Sequence, residues 1–360
     1  MKVLIDGRPA LGGIERATRN LVAGLRQRLA EDQLVVFGES RPGPIGLPRW
    51  RRAARSIGGG GKAVLVDQLT LPAVAARNRV DVFHSPRYLV PRRIGVPAVV
   101  TLYDLTLVDL LPIKKRGVVK YYERWAFLQA LHRSAFIITP SDAVRAELLR
   151  RYGLDESTVG RIYPQLTDLD RLPPPTAMPP EIPAEFLLSV GTLEPRKNLG
   201  RLLDAHRIFW RETRTPLVLA GAYGWSQRDL LKRVDASDGA VLWLGCVEDV
   251  VLAELYRRAV AVVQLSVHEG FDLPVAEALA GGAPVVVSDI PVHREVASSC
   301  GVYVSPDDPA RVAQVVLEVR NWSSDRRDRH REDAARRVAE LRREDSINRH
   351  IEVYRRVLEH

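Results

Sequence analysis

The sequence predicts an α/β protein made of two Rossmann-like domains, each built on a parallel sheet. Three observations predict it. Short apolar runs alternate with segments of helical periodicity through both halves of the chain, an order that makes the strands of a sheet parallel. A stretch without periodicity, 167–183, holds Pro173-Pro174-Pro175 and Pro179-Pro180 and separates the halves. The length, 360 residues, is long for one domain and ample for two. The expected organisation is a first domain at 1–166, a linker at 167–183, a second domain at 184–343 and a terminal helix at 344–360.

In the first half, Val3-Leu4-Ile5 reads as a strand, Asp6 to Gly13 as a loop, and Glu15 to Leu29 as a helix. Gly12-Gly13 would let backbone approach a ligand, or simply make a tight turn; the dinucleotide pattern G-x-G-x-x-G is missing. Leu34 to Phe37 is a second strand. The segment from Arg41 to Lys62 is read as a loop. Its glycine run, Gly58 to Gly61, does not make a phosphate loop, because Ser56 stands at the first glycine position and Ala63 at the hydroxyl position. Its basic part, Arg49 to Ile57, fits peripheral contact with an anionic membrane or an acidic acceptor, but a solvated loop is the favoured reading. Asp81 to His84 and Ala98 to Leu102 are strands that end at His84 and at Tyr103-Asp104. Gly117 to His132 is helical, Ala135 to Thr139 a strand, Ser141 the cap of a helix reaching Tyr152, and Val159 to Tyr163 the last strand of this half.

In the second half, Phe186 to Val190 is a strand. It runs through Gly191-Thr192-Leu193-Glu194-Pro195-Arg196-Lys197-Asn198 into a helix from Leu199 to Arg211. Arg196 and Lys197 at a strand's end would clamp a diphosphate, the first by a fork of donors and the second as a point charge, but on these residues alone an exposed basic pair is the favoured reading. Lys197 is expected to be exposed. Leu217 to Ala220, Val241 to Leu244 and Ala261 to Leu265 are further strands. After the last of these, His268-Glu269-Gly270-Phe271-Asp272-Leu273-Pro274 leads into a helix that carries Glu277, with Pro274 in its first turn. The amides of Gly270 to Leu273 crowd toward that helix N-terminus, which favours anions. Open α/β sheets bind ligands outside the carboxyl ends of their strands. The residues themselves therefore point to a phosphate-bearing ligand held between Glu269 and Glu277. Val285 to Val287 is a further strand, Gly301 to Pro306 closes the domain, and Asp308 to Arg320 is helical. Asp325 to Arg343 is read as a solvated charged helix. Asp345 opens a last helix with Ile347, Ile351, Tyr354 and Leu358 on one stripe.

Composition bounds the function. With 46% hydrophobic and 27% charged residues the chain is an ordinary globular one. No stretch of about 18 apolar residues suits a membrane span; the best, Val96 to Ile113, is broken by Asp104 and Asp109. Met1-Lys2 runs into Val3 without a signal-peptide pattern, so a cytoplasmic protein is expected, peripheral at most on the inner membrane face. Cys246 and Cys300 are expected to be buried free thiols. The net charge of +9 would suit nucleic acid, anionic lipid or an anionic substrate, but no recognition motif or aromatic interleaving supports nucleic acid.

Several of these segments carry a resemblance. Glu269 and Glu277, framed as E-G-F-x-L-P-x-x-E-A, resemble the two-glutamate signature of retaining glycosyltransferases of family GT4. The segment Val190-Gly191 to Arg196-Lys197-Asn198 resembles the family's V-G-x-x-x-x-R-K-N. Ser288-Asp289 to Glu295-Val296, the strand ends at His84 and Asp104, and the Gly12-Gly13 loop are similar too. The resemblance implies a GT-B fold, two Rossmann-like domains facing a cleft with the C-terminal helix crossing back to the first domain. It implies transfer of a hexose, with retention, from a nucleotide diphosphate sugar to a hydroxyl of a glycan, lipid-linked or small-molecule acceptor. It assigns catalysis to Glu269, Arg196 and Lys197. To the donor it assigns Gly12, Gly13, Tyr103, Asp104, Gly191, Val247, Gly270, Phe271, Asp272, Leu273 and Glu277, with His84 a contact to acceptor or sugar, although the residue alone reads as a histidine packed at a strand end. It implies no cofactor beyond a GDP- or UDP-linked donor and no metal, since no Asp-x-Asp pair follows a strand. Two positions depart from the family: Tyr103 stands for a histidine and Asp272 for a glycine. They motivate an alternative, a catalytically silent sugar-nucleotide-binding subunit. At Asp272 the carboxylate is expected either to meet sugar hydroxyls, so that Asp272→Gly alters donor selectivity, or to cap the helix.

Overall fold

The computed structural model describes residues 1–8, 13–38, 66–105, 118–224 and 228–359. Its described residues fall into two compact units, 1–165 together with 345–360, and 166–344.

The first unit is built on β1 (Val3–Asp6), β2 (Leu34–Phe37), β3 (Val82–Ser85), β4 (Ala98–Thr101), β5 (Phe136–Thr139) and β6 (Val159–Arg161), in the order β2-β1-β3-β4-β5-β6. The second is built on β7 (Leu187–Val190), β8 (Leu217–Ala220), β9 (Val241–Trp243), β10 (Ala261–Gln264), β11 (Val285–Ser288) and β12 (Gly301–Val304), in the order β12-β11-β10-β7-β8-β9. Every pairing is parallel. The central strands are buried along their length and mostly apolar, as helices on both faces require. In the second sheet the order reverses between β7 and β10. Open α/β sheets bind ligands at such a switch point, outside the carboxyl ends of the strands.

The expected helices form, with shifts of a few residues at their ends. Ser141 caps the helix Asp142–Tyr152, its hydroxyl accepting from the Val144 amide at 3.2 Å. Among the described residues four short α-helices go beyond the sequence reading: Leu71–Asn78, Arg228–Asp235, Asp249–Arg258 and Pro291–Ala297. At seven to ten residues each they show too few turns for a 3.6-residue period to stand out.

Other expectations change. The helix Ser324–Arg343 is not simply solvated. His330, Ala334, Val338 and Leu341 form a buried stripe, and His330 Nε2 meets the Ala283 carbonyl at 3.0 Å. In the last helix, Ser346–Arg356, Ile347, Ile351 and Tyr354 are buried as expected, together with His350. Leu358 is 42% exposed, and Val357 takes its place. This helix counts with the first unit, where Gly24 of the helix Gly13–Arg28 meets it; a Cβ on Gly24 would stand 2.4 Å from Ile347 Cδ1. The stretch expected as a linker is held by the second unit. Arg257 Nη2 donates to the carbonyls of Leu169, Asp170 and Leu172, at 3.3, 3.3 and 2.6 Å. Arg342 grips Asp170 with both terminal nitrogens at 2.9 and 2.5 Å. Cys300 is buried, but Cys246 is exposed on the loop after β9.

Candidate active site

The loops after β7 and β10 leave the switch point side by side, joined by a hydrogen bond from the Val267 amide to the Arg196 carbonyl at 2.9 Å. Below them a polar contact locks the strand ends. Gln264, the polar terminus of an apolar strand, accepts from the Ser189 hydroxyl at 3.0 Å and donates to the Val190 carbonyl at 2.6 Å. Gly191 turns the first loop at φ 147°, and a Cβ there would lie 2.9 Å from Lys197 Cε. Only glycine accepts that angle without strain and leaves the lysine its space.

Arg196 and Lys197 follow from a single 3-10 turn, Pro195–Lys197. Arg196 Nε pairs with Glu194 at 2.6 Å, and Nη1 with Glu269 at 2.5 Å. Lys197 Nζ pairs with Glu269 Oε1 at 2.7 Å and with Asp272 Oδ1 at 3.0 Å. Lys197 is thus not exposed: its side chain is 5% accessible, because two carboxylates from the facing loop draw the ammonium inward. Burial works against that charge, yet Asp272 and Glu269 outweigh it and hold the lysine pKa above its ordinary value.

Gly270, Phe271, Asp272 and Leu273 are all buried. Asp272 sits immediately before the helix Leu273–Ala280 at φ 59°, ψ 67°, in the left-handed region. That conformation accounts for a position where glycine would serve. It also overturns the cap expected there, since the side chain bonds no helix amide. The carboxylate turns inward instead, with Oδ2 2.9 Å from His293 Nε2. Burial raises its pKa, but the Lys197 charge and the His293 bond reverse this and keep the group ionised far below the usual carboxylate range. His293 was not singled out in the sequence; its one signal was a histidine inside the stretch Ser288 to Val296. Glu277 is buried in the same helix and accepts from the Tyr256 hydroxyl at 3.0 Å. Val247 is half-buried on the loop between β9 and the helix Asp249–Arg258.

The remaining site candidates belong to the other unit. Gly13 begins its first helix, and Gly12 lies outside the described residues, as does Arg49 to Ile57. Tyr103 and Asp104 follow β4; burial pushes the Tyr103 phenol upward, against a hydrogen bond with Thr18, so it stays protonated at neutral pH. His84 is fully buried in β3. Its Nδ1 meets the Tyr354 hydroxyl at 2.7 Å and its Nε2 the Thr101 hydroxyl at 2.9 Å. With both ring nitrogens engaged inside the core, His84 has no polar atom left for a sugar or acceptor, and the contact expected there is withdrawn. Among the described residues no three His, Cys, Asp or Glu side chains gather as metal ligands, and no helix is long and apolar enough to cross a membrane.

Residues 11–165 match the model of Glycosyltransferase Family 4, and residues 184–321 match that of Glycosyl transferases group 1. The O-antigen chain mannosyltransferase B of Escherichia coli is 31% identical over 257 residues, covering 68% of this chain and 67% of that one. A serotype-specific mannosyltransferase WbdA, also of Escherichia coli, is 35% identical over 235 residues. That match covers 58% of this chain, which spans only 29% of WbdA. The crystal structure of Anabaena Alr3699/HepE in complex with UDP-glucose superposes with a TM-score of 0.70 over 98% of this chain and 100% of that one, at 17% identity, a likeness of fold alone. Two parallel six-stranded sheets, a family model over each half and a relative matched along two thirds of its length lead to one assignment: the chain belongs to family 4 of the glycosyltransferases, enzymes of the GT-B fold.

Proposed function

We propose that this glycosyltransferase moves a hexose, mannose foremost, from a GDP- or UDP-linked donor to a hydroxyl of a growing glycan, with retention and without a metal ion. The convergence of Arg196, Lys197 and Glu269 beside the N-terminus of the helix Leu273–Ala280, at the switch point of the second sheet, carries this reading. The mannosyl assignment is supported by the names of the O-antigen relatives, and the nucleotide sugar by the HepE complex.

The bond between the anomeric carbon and the diphosphate oxygen breaks, and negative charge grows on the departing diphosphate. Arg196, Lys197 and the helix N-terminus stabilise that charge from fixed positions. Glu277 holds the ribose hydroxyls, while Glu269 faces the sugar as nucleophile or as electrostatic support. The acceptor attacks from the face the diphosphate leaves and gives its proton to the leaving group. Glycans, lipid-linked sugars and small hydroxylated molecules are the acceptor classes. Contact with an anionic membrane rests on Arg49 to Ile57 alone. Membership of an enzyme family argues against the silent binding subunit.

The test pairs binding with turnover. A panel of UDP, GDP, ADP and dTDP is screened by melting temperature, which rises with any ligand of the native state. Glu269→Ala should keep that shift and lose transfer by about 10²-fold or more. No shift with any nucleotide, or native turnover in Glu269→Ala, overturns the proposal.

A further inference from the structure

We infer that His293 is a positioning residue of the donor-phosphate site, acting through Asp272. On the reading of a diphosphate bound there, it fixes and offsets a carboxylate that would otherwise repel the donor and neutralise Lys197.

A carboxylate stands in an anion-binding turn, 4% exposed, and does not cap the helix. Its two oxygens are taken by different partners, Oδ1 by Lys197 at 3.0 Å and Oδ2 by His293 at 2.9 Å. His293 is fully buried and is itself held from behind. Its Nδ1 lies 2.9 Å from the Ser288 carbonyl and 3.1 Å from the Ser288 hydroxyl oxygen. The hydroxyl gives its own proton to the Ser266 carbonyl at 2.5 Å, so toward Nδ1 it offers a lone pair.

These contacts decide the protonation of the ring. Nδ1 faces two acceptors and must carry a hydrogen. Nε2 faces an ionised carboxylate and must carry one as well, because a lone pair there would oppose the anion. The ring is therefore an imidazolium.

The charge balance then makes sense. Arg196, Lys197 and His293 face Glu194, Glu269 and Asp272, so these six side chains balance before a donor arrives, with Glu277 of the same site outside the count. Without the His293 proton the site would be net negative where a diphosphate must bind. Among the described residues, Arg294 and Tyr303 beside His293 do not supply that charge. Arg294, the next residue, turns to Asp289 with two bonds of 2.7 Å. The Tyr303 hydroxyl gives its proton to the Ser298 carbonyl at 2.5 Å, lies 3.4 Å from the His293 carbonyl, and is kept neutral by burial. Glu269 adds to the attraction from farther off. Burial disfavours the imidazolium, yet Asp272 keeps its pKa above the ordinary value. A group raised in this way holds its charge at low pH and loses it as pH climbs through the raised pKa.

The experiment measures GDP and UDP binding by calorimetry for the native protein, His293→Gln, Asp272→Gly and the double variant, from about pH 6 to about pH 9. Glutamine can still donate to Asp272 but carries no charge. We expect His293→Gln to weaken nucleotide binding about tenfold in the native background and by less than about twofold in Asp272→Gly. Native affinity should fall toward basic pH, and His293→Gln and Asp272→Gly should both lose that slope. Equal losses from His293→Gln in both backgrounds would show a structural role only. Unchanged affinity and an unchanged slope would show none. If His293→Gln does not unfold cooperatively, the slope of Asp272→Gly decides, and a native slope there overturns the inference. If the native protein binds neither nucleotide, the donor reading itself falls; binding without coupling removes only His293.

Discussion

At φ 59°, the Asp272 backbone stands where a Cβ costs about 1–2 kcal/mol and glycine costs little. Two effects therefore meet in one substitution. Asp272→Gly removes a buried partner of Lys197 but relieves the backbone, whereas Asp272→Ala removes the partner and keeps the strain. Asp272→Ala should be less stable than Asp272→Gly by about 1 kcal/mol in urea unfolding. Equal stabilities would mean that the turn relaxes around alanine. Donor selectivity follows from the same contacts. Since both carboxylate oxygens are taken inside the protein, a change of selectivity in Asp272→Gly would arise through Lys197 rather than through a lost sugar contact. The pair Arg196-Lys197 was legible only through the resemblance of its segment to V-G-x-x-x-x-R-K-N, since two adjacent cations by themselves read as an exposed basic pair. Burial of Lys197 was not, because its carboxylate partners lie on a loop more than seventy residues away.

Elements dock where side chains leave room. Gly24 lets the helix Gly13–Arg28 approach the last helix, since a Cβ would meet Ile347 at 2.4 Å and the Gln165 amide oxygen at 2.8 Å. Gly24→Ala gains intrinsic helix propensity of about 1 kcal/mol but overpacks this contact by about 1–3 kcal/mol. We expect a lower melting temperature; a rise would mean that Ile347 repacks freely. The same docked helix brings His350 and Tyr354 to His84. Burial lowers the pKa of both histidines, that of His350 to about 4 from an ordinary 6.5, and the His350 charge adds to the effect on His84. The unfolded chain therefore takes up protons first. Their contribution to stability is complete above about pH 6.5 and is lost as pH falls toward about 4, by about 1.4 kcal/mol per pH unit for each histidine that titrates. Unfolding followed across that window in His350→Gln should show a shallower slope than in the native protein. An identical slope would remove His350 from the account.

For the whole molecule, the arrangement that matters chemically is the reversal of strand order between β7 and β10. It places Arg196, Lys197 and a helix N-terminus beside Glu269; on the proposed reading the two cations and the helix end stabilise the leaving diphosphate without a metal ion. Transfer should therefore persist in excess EDTA, measured as product released from a nucleotide sugar. Loss of turnover with chelator and its return with Mg²⁺ or Mn²⁺ would require a metal in place of the clamp.

Apolar runs, helical periods and turn residues are local properties, so the sequence by itself determined most strands, the parallel sheets and the division into halves. Glu269, Glu277 and the Arg196-Lys197 pair could be read in the same way, because each lies in a short motif between a strand and a helix. What the tertiary structure alone decided was the direction of side chains and their company. It turned Asp272 toward Lys197 and His293 rather than the helix amides, enclosed His84 between Tyr354 and Thr101, and fastened the 167–183 stretch to the second unit. The physical reason is distance along the chain. Each of these contacts joins residues from separate elements, and whether a buried charge finds its partner depends on which strand ends the fold sets side by side.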